Sequence, residues 1–427
     1  MIFNNQDNRK FSTAPQNEGV GISLEKNHQE LPIDAHRESI LEAIKSNPSV
    51  IIVGETGSGK TTRVPIFLLD QFQDKKIAVT SPRVLPARSV SRYVAGERGQ
   101  EVGGEIGLMT REQKQVSQET RATFMTDGIL LSMLQNDPMV SSLDIVMVDE
   151  AHERTINIDL TLGLLKQAQK LRKSAGISEL KIIVTSATIE EEKFANYFDQ
   201  SPVAKVPGRL YPVDISYSEQ VGAHYTTQAA NLTKEILDTI SVGDVLIFMP
   251  GEEEIYKTMD EIKSGLDVEK VDVLSLYGAM NPKDQDKIFN KSRKRKVIVS
   301  TNIAETSVTI DGVKHVIDAG YLKQMNYNPE TGINALELMP ASQANMNQRM
   351  GRAGRTAPGS CYRLMSKSEF NDREAFQKPE IMRADLDEVV LRMKDMEIKD
   401  VEDFDFIDKP SRARVHSALE SLKHRAA

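Results

Sequence analysis

Four apolar runs in the first half of the chain each end in a short stretch of glycine, hydroxyl or acidic residues, and this repeated pairing constrains the fold more than any other feature. Val50-Ile51-Ile52-Val53 leads into Gly54-Glu55-Thr56-Gly57-Ser58-Gly59-Lys60-Thr61, and Ile77–Thr80 into Ser81-Pro82-Arg83. Ile145-Val146-Met147-Val148 leads into Asp149-Glu150-Ala151-His152, and Lys181–Thr185 into Ser186-Ala187-Thr188. Short apolar runs bounded by turn-forming residues read as buried strands. Their alternation with helical stretches, such as the one around Ser39–Lys45, predicts a parallel, doubly wound α/β sheet. Ligands of such sheets sit at the carboxyl ends of the strands, which is where these polar stretches fall.

Gly54–Thr61 fits the P-loop pattern, with a strand before it and a helix opening at Lys60. Its glycines let backbone N–H groups close around a β-phosphate, and the following helix contributes its positive amino end. Lys60 is expected at the β- and γ-phosphates and the Thr61 hydroxyl on Mg2+. Asp149 is expected to complete the magnesium shell, and Glu150 to orient and polarise an attacking water. Taken singly, each motif has a bland alternative: a chance glycine-rich turn, or an acidic helix cap after a buried strand. Together they predict hydrolysis of a nucleoside triphosphate.

The 427 residues give room for two or three domains. A net charge of -8 provides no overall basic field, although a local positive strip suffices to hold a nucleic-acid backbone. The single cysteine, Cys361, excludes an internal disulfide, and seven scattered histidines show no metal-ligand spacing. No apolar run approaches a membrane span and the amino terminus lacks the apolar core of a secretory signal, so a soluble, intracellular protein is expected, cytoplasmic or, in a eukaryote, nuclear.

Residues 1–30, polar and rich in Asn and Gln, read as a disordered leader. A first α/β domain is expected over 31–207. Pro207-Gly208-Arg209-Leu210-Tyr211-Pro212 reads as a linker, set at 208–213. The pattern restarts over 214–367, with strands expected at Val245–Met249, Val271–Leu276, Val297–Ser300 and Val313–Asp318. From 368 to 427 the chain is helical and charged, and Leu386, Val389, Val390 and Met393 share one helical face. The basic run Lys291–Lys296 reads as a solvated turn before a strand rather than as an RNA-contacting patch.

Gln348-Arg349-Met350-Gly351-Arg352-Ala353-Gly354-Arg355 lies in the second half. It can be a basic surface helix with solvated arginines. Arg352 and Arg355, three apart, share a helical face, and small residues between them allow close approach to another surface. A second domain that presents arginine to a γ-phosphate on the first is an arginine-finger arrangement, worth about a thousandfold or more in rate.

The whole set resembles the DEAH-box helicases of superfamily 2, the RNA helicases of spliceosomal, ribosome-biogenesis and bacterial type. The resemblance runs in order over about residues 31–422: GETGSGKTT at 54–62, TSPR at 80–83, TDG at 126–128, DEAHER at 149–154, SAT at 186–188, PGRLYPV at 207–213, FMPG at 248–251, STNIAETSVTIDGV at 300–313 and QRMGRAGR at 348–355. It implies two tandem RecA-like domains plus a short, partly winged-helix-like helical segment. It further implies ATP, with other NTPs accepted, and Mg2+ as cofactors. The expected partner is single-stranded or partly duplex RNA, bound without sequence preference by a monomer that steps from 3′ toward 5′, with a protein adaptor.

By the same resemblance Thr62 and Asp311 join the nucleotide site. His152, Gln348, Arg352 and Arg355 join Lys60, Asp149 and Glu150 in the catalytic set. Ser186 and Thr188 would couple hydrolysis to domain movement. Arg83, Thr126, Asp127, Gly251, Thr301 and Thr306 would line the path of the RNA backbone. Tyr321–Pro340, with Tyr327-Asn328-Pro329, would form a hairpin beside the incoming strand. Val84 departs from the family's second arginine, which predicts a weaker RNA grip. Tyr93 and Phe289 take the positions that sandwich the base, or are ordinary aromatics. The family continues through a ratchet domain and an OB-fold, whereas this chain ends at Ala427 and reads as a fragment or a minimal motor. The rival readings are an RNA-stimulated NTPase without processive unwinding, a DNA helicase and a non-catalytic RNA-binding scaffold.

Overall fold

The computed structural model describes residues 31–427 except 56, 188–189, 209–210, 219–222, 266–269, 291, 306–309, 329–332, 399 and 427. The leader expected over 1–30 lies outside the described residues, as do Thr56, Thr188, Arg209, Leu210, Lys291, Thr306 and Pro329.

The first sheet is built from β1 (Ser49–Gly54), β2 (Ile77–Ser81), β3 (Ile106–Met109), β4 (Lys114–Gln115), β5 (Ala122–Thr126), β6 (Ile145–Val148), β7 (Lys181–Ser186) and β8 (Val203–Val206). Their order is β4-β3-β5-β2-β6-β7-β1-β8. Only the short β4 runs antiparallel to its neighbour. The central strands are continuous apolar runs because helices cover both faces of a parallel sheet; every residue of β6 is buried. Parallel register then fixes function geometrically. The carboxyl ends of β1, β2, β6 and β7 share one edge, and each carries a polar motif.

The second sheet contains β9 (Val213–Tyr217), β10 (Asp244–Phe248), β11 (Val271–Leu276), β12 (Arg295–Ser300) and β13 (Val313–Asp318). After β13 a two-stranded hairpin stands apart, β14 (Tyr321–Asn328) antiparallel to β15 (Ile333–Pro340), and β16 (Gly359–Arg363) then returns to the sheet. The order β11-β12-β10-β13-β16-β9 is parallel throughout. These are two tandem RecA-like domains. They are packed together: Leu85, from the helix Val84–Glu97 of the first domain, is buried in the core of the second with Leu246, Phe248 and Ile303.

The basic run before β12 differs from its sequence reading only at its end: 292–294 are an exposed turn as expected, but the strand starts early. Arg295 and Lys296 begin the strand rather than a solvated turn. Arg295 donates to the Gly243 carbonyl at 2.9 Å, and the buried Lys296 Nζ donates to the Ile288 carbonyl at 2.7 Å. Long basic side chains at a strand start can fold back onto loop carbonyls, which a charge count does not register.

The C-terminal segment packs on the first domain. Leu386, Val389, Val390 and Met393 of the helix Leu386–Asp395 form a core with Phe404, Phe406 and Val415, and Leu131 and Leu160 of the first domain complete it. Close approach is allowed by Gly163 on the helix Ile156–Ala175, where a Cβ would lie 2.5 Å from Phe404 Cζ. Among the described residues, no helix is long and apolar enough to cross a membrane.

Candidate active site

The turn after β1 is shaped by glycine. Gly57 and Gly59 hold φ of 90° and 98°, left-handed conformations that side chains resist. Gly59 caps the helix Lys60–Gln71, and a Cβ there would also strike Ile33 at 2.8 Å. Lys60 is thereby fixed at the first helical position, buried, with Nζ donating to the Gly54 carbonyl, to the Glu55 carbonyl at 3.1 Å and to Ser58 Oγ at 3.3 Å. Burial lowers its pKa, opposed by the negative charges of Glu150 and Asp149. An ammonium desolvated among neutral acceptors and carboxylates is a ready partner for phosphate oxygens. Thr61 and Thr62 follow in the same turn, both half-buried.

Asp149 directly follows β6 and is 1% exposed. It accepts from the Thr185 hydroxyl of β7 and from the Thr61 hydroxyl. Its Oδ2 is buried with no hydrogen-bond partner. Burial, then the charge of Glu150, pushes its carboxyl up to about 7. A buried carboxylate oxygen lacking a donor, beside a threonine hydroxyl, is the hard-oxygen environment Mg2+ takes. The residues present therefore fit that ion.

Glu150 stands at φ 54°, ψ 36°, a left-handed conformation that costs a non-glycine residue about 1–3 kcal/mol and is typical of active sites. Its Oε2 lies 3.5 Å from His152 Nδ1. His152 ties three motifs together. Its Nδ1 accepts from the Ala187 backbone N–H at 3.2 Å, and its Nε2 is 2.8 Å from the Gln348 side-chain amide. The Gln348 atom that meets the ring is its amide nitrogen, Nε2. The preceding Ser186 is buried at the end of β7.

The second domain delivers its side chains through the helix Gln343–Met350 and the loop after it. Arg352 is buried and donates through Nε to the Glu305 carbonyl at 3.0 Å. Burial, then Arg355, depresses its pKa, while Glu150 and Glu305 oppose the shift. Burial lowers Arg355 to about 10 against the pull of Glu150, so it stays cationic at neutral pH. Arg355 also acts electrostatically on Lys60. The structure thus brings Lys60, Asp149, Glu150, His152, Gln348, Arg352 and Arg355 into one cleft.

Other expected site residues are placed less directly. Tyr93 and Phe289 are 47% and 37% exposed, and form no ring pair with each other among the described residues. Each adjoins a bridge across the cleft, in which Arg88 and Arg92 meet Asp286 at 3.0 and 3.6 Å. Asp311 is exposed just before β13.

Of the residues expected along an RNA path, Thr126 and Thr301 are half-buried caps of a helix and a 3-10 turn. Gly251 is buried, and a Cβ there would meet Lys323 Nζ at 2.8 Å. Asp127 is 2% exposed beside Thr80, and burial pushes its carboxyl up to about 7. From that depth it does not reach an external strand without movement of its helix start. Arg83 spans the domains instead, donating to Glu153 Oε2 at 3.1 Å and to the Asn302 carbonyl at 2.7 Å.

Sequence reasoning assigned no role to Glu153, Glu305, Asp318 or Arg349. Arg349 is 1% exposed and pairs with Glu305 Oε2 at 3.0 Å and Asp318 Oδ1 at 2.7 Å. That buried triad fixes the helix that presents Gln348 and, through Glu305, the partner of Arg352. Glu153, Glu305 and Arg349 do lie inside DEAHER, NIAETS and QRMGRAGR, which was the available signal.

A P-loop and a carboxylate pair on one RecA-like domain, faced across a cleft by arginines from a second, are the architecture of a two-domain P-loop protein. Residues 34–196 match the DEAD/DEAH box helicase family, and residues 228–357 match the helicase conserved C-terminal domain. The chain belongs to the DEAD/DEAH-box helicases of superfamily 2, as a DEAH-box member. It is similar to the solved structure of the Escherichia coli DEAH/RHA helicase HrpB, at 33% identity and a TM-score of 0.85, over 92% of this chain and 50% of that one. A second structure, described as the E. coli DExH-box NTPase HrpB, matches at 33% identity and a TM-score of 0.79, over 92% and 48%. The chain spans about half the length of these relatives.

Proposed function

We propose that this protein hydrolyses ATP, and other nucleoside triphosphates, to drive movement along single-stranded or partly duplex RNA. The observation that carries the reading is the 2.8 Å contact between His152 of the first domain and Gln348 of the second, made where Arg355 acts on both Glu150 and Lys60. Catalytic groups from two domains meet only when the cleft is closed, so each turnover is tied to domain movement.

In this reading Lys60 exchanges its carbonyl partners for phosphate oxygens. Glu150 orients and polarises the attacking water, and Gln348, held by His152, limits where that water sits. Arg352 and Arg355 stabilise charge on the transferred phosphoryl group. Thr61 and Asp149 would hold Mg2+, which neutralises phosphate charge when bound. Ser186, the last residue of β7, and Thr188, two residues on in sequence, relay closure to the rest of the first domain. Contacts with the RNA backbone would carry no sequence preference.

The reading is tested by measuring phosphate release with matched RNA and DNA single strands. Stimulation by RNA well above that by DNA is expected. If neither strand raises turnover, the nucleic-acid assignment fails; if DNA alone does, the DNA reading replaces it.

A further inference from the structure

One turn of the C-terminal segment touches two regions that the cleft chemistry keeps apart. The 3-10 turn Glu380–Met382 is followed directly by Arg383. On one side it is bonded to the chain just after the DEAH motif. Glu380 N–H donates to the Arg154 carbonyl at 3.0 Å, and Glu380 Oε2 accepts from Ile156 N–H at 2.9 Å. On the other side it is bonded to the hairpin. The Arg383 carbonyl accepts from Tyr327 N–H at 3.1 Å, and its guanidinium donates to the Met325 carbonyl at 2.6 Å. Arg383 N–H closes the turn on the Glu380 carbonyl at 3.0 Å.

The receiving end is stiff. Arg154 is 2% exposed and held at φ 47°. Its guanidinium grips Asp159 through two bonds of 2.8 and 3.0 Å and reaches Asp408 of the C-terminal segment at 2.7 Å. It lies four residues beyond Glu150, which is itself in a left-handed conformation. The sending end is open. Met325 and Leu336 face each other across the hairpin at 48% and 60% exposure, with Leu338 beside them at 47% and Lys323 opposite it. An exposed apolar ladder suits the flat faces of unpaired bases, and the Lys323 ammonium beside it is held by Glu254 Oε2 at 2.9 Å.

We propose that the Glu380–Arg383 turn is a strut that transmits strand engagement at the hairpin to the DEAH loop. Glu380 and Arg383 are then positioning residues that act on Glu150 through the Arg154–Ile156 backbone. This inference rests on the reading of the protein as an RNA-dependent NTPase. A chain of contacts is not yet coupling, so the test measures coupling directly.

Turnover of the full chain is measured with and without single-stranded homopolymer RNA for wild type, Glu380→Ala, Arg383→Ala, the double variant and Glu380→Gln. Basal kcat and the KM for ATP should hold within about twofold while the RNA-stimulated kcat falls about tenfold in both alanine variants. The double variant should fall no further, because both substitutions break one path. Glu380→Gln, whose amide oxygen still accepts from Ile156 N–H, should keep its stimulation. Full stimulation in the alanine variants, parallel loss of basal and stimulated rates, or multiplying losses in the double variant would overturn the strut. A wild-type chain that RNA does not stimulate overturns the nucleic-acid reading and the strut with it, an outcome distinct from the others. If an alanine variant does not fold, hydrogen exchange of the wild type decides. RNA should protect residues 150–158 and 379–383 together, and protection confined to the hairpin would refute the proposal.

Discussion

At the scale of single residues, Lys60 and Glu150 separate binding from chemistry. In the proposed mechanism Lys60 meets phosphates in the ground state, so Lys60→Ala should weaken nucleotide binding itself. Glu150→Gln keeps the shape of the side chain but removes the charge that polarises water. Nucleotide should still bind, while kcat falls by about a hundredfold or more, the range for loss of a positioned general base. Equilibrium binding of a fluorescent ATP analogue beside single-turnover hydrolysis distinguishes them; near-normal turnover by Glu150→Gln would remove Glu150 from the mechanism. A third residue controls stability rather than catalysis. His315 of β13 is 5% exposed, donates from Nε2 to the Val242 carbonyl at 3.1 Å, and has its pKa lowered below 6.5 by burial, with Arg295 and Lys314 adding repulsion. A depressed pKa means the unfolded chain binds the proton more readily. The stabilisation is therefore present above the unfolded value and is lost as pH falls toward the folded one. Urea unfolding between about pH 7.5 and 5.5 should show stability declining, and His315→Gln should flatten that slope.

At the scale of elements, legibility followed from how each strand is buried. β6 and β10 sit inside parallel sheets, and their unbroken apolar runs were readable directly. β3 and β5 were not read, because Gly107 interrupts one and Thr123 and Thr126 the other. The edge strands β8 and β9 are partly exposed and carry Lys205 and Asp214, so nothing in their composition demands a strand. The candidate site divides the same way. The P-loop, Asp149-Glu150 and the arginine pair are contiguous motifs. The Glu305–Arg349–Asp318 triad joins residues whose spacing in the chain carries no periodic signal, and only the fold assembles it. Docking of the C-terminal segment was equally invisible, since Gly163 looks like any helical glycine until Phe404 is placed against it. Gly163→Ala would raise helix propensity locally, yet its Cβ would overlap the Phe404 ring. Overpacking of that kind costs about 1–3 kcal/mol. A lower melting temperature and faster proteolysis within 380–426 are expected, with recovery in the Gly163→Ala/Phe404→Leu double variant. A Gly163→Ala chain as stable as wild type would show that the segment is not seated on this helix.

At the scale of the whole molecule, ties between the two domains include the ion pair of Arg88 with Asp286, the Arg83 bridge to Asn302, the His152–Gln348 contact and the burial of Leu85. In the proposed reading, a nucleotide held in this cleft would have its phosphates enclosed by charged groups from both sides. Its base would lie toward Tyr93 and Phe289, which come from different domains and remain partly exposed. Aromatic faces accept any base, and neither phenol nor phenyl ring can read the pattern of donors and acceptors that separates adenine from guanine or a pyrimidine. Discrimination would then come from stacking area alone. Values of kcat/KM for GTP, CTP and UTP should fall within about tenfold of ATP, corresponding to about 1.4 kcal/mol. Substituting either aromatic by alanine should raise KM for all four nucleotides together, because the phosphate site is untouched. Strict dependence on ATP, or a selective loss of ATP alone in Tyr93→Ala or Phe289→Ala, would mean that a polar group elsewhere reads the base edge and that these aromatics do not frame it.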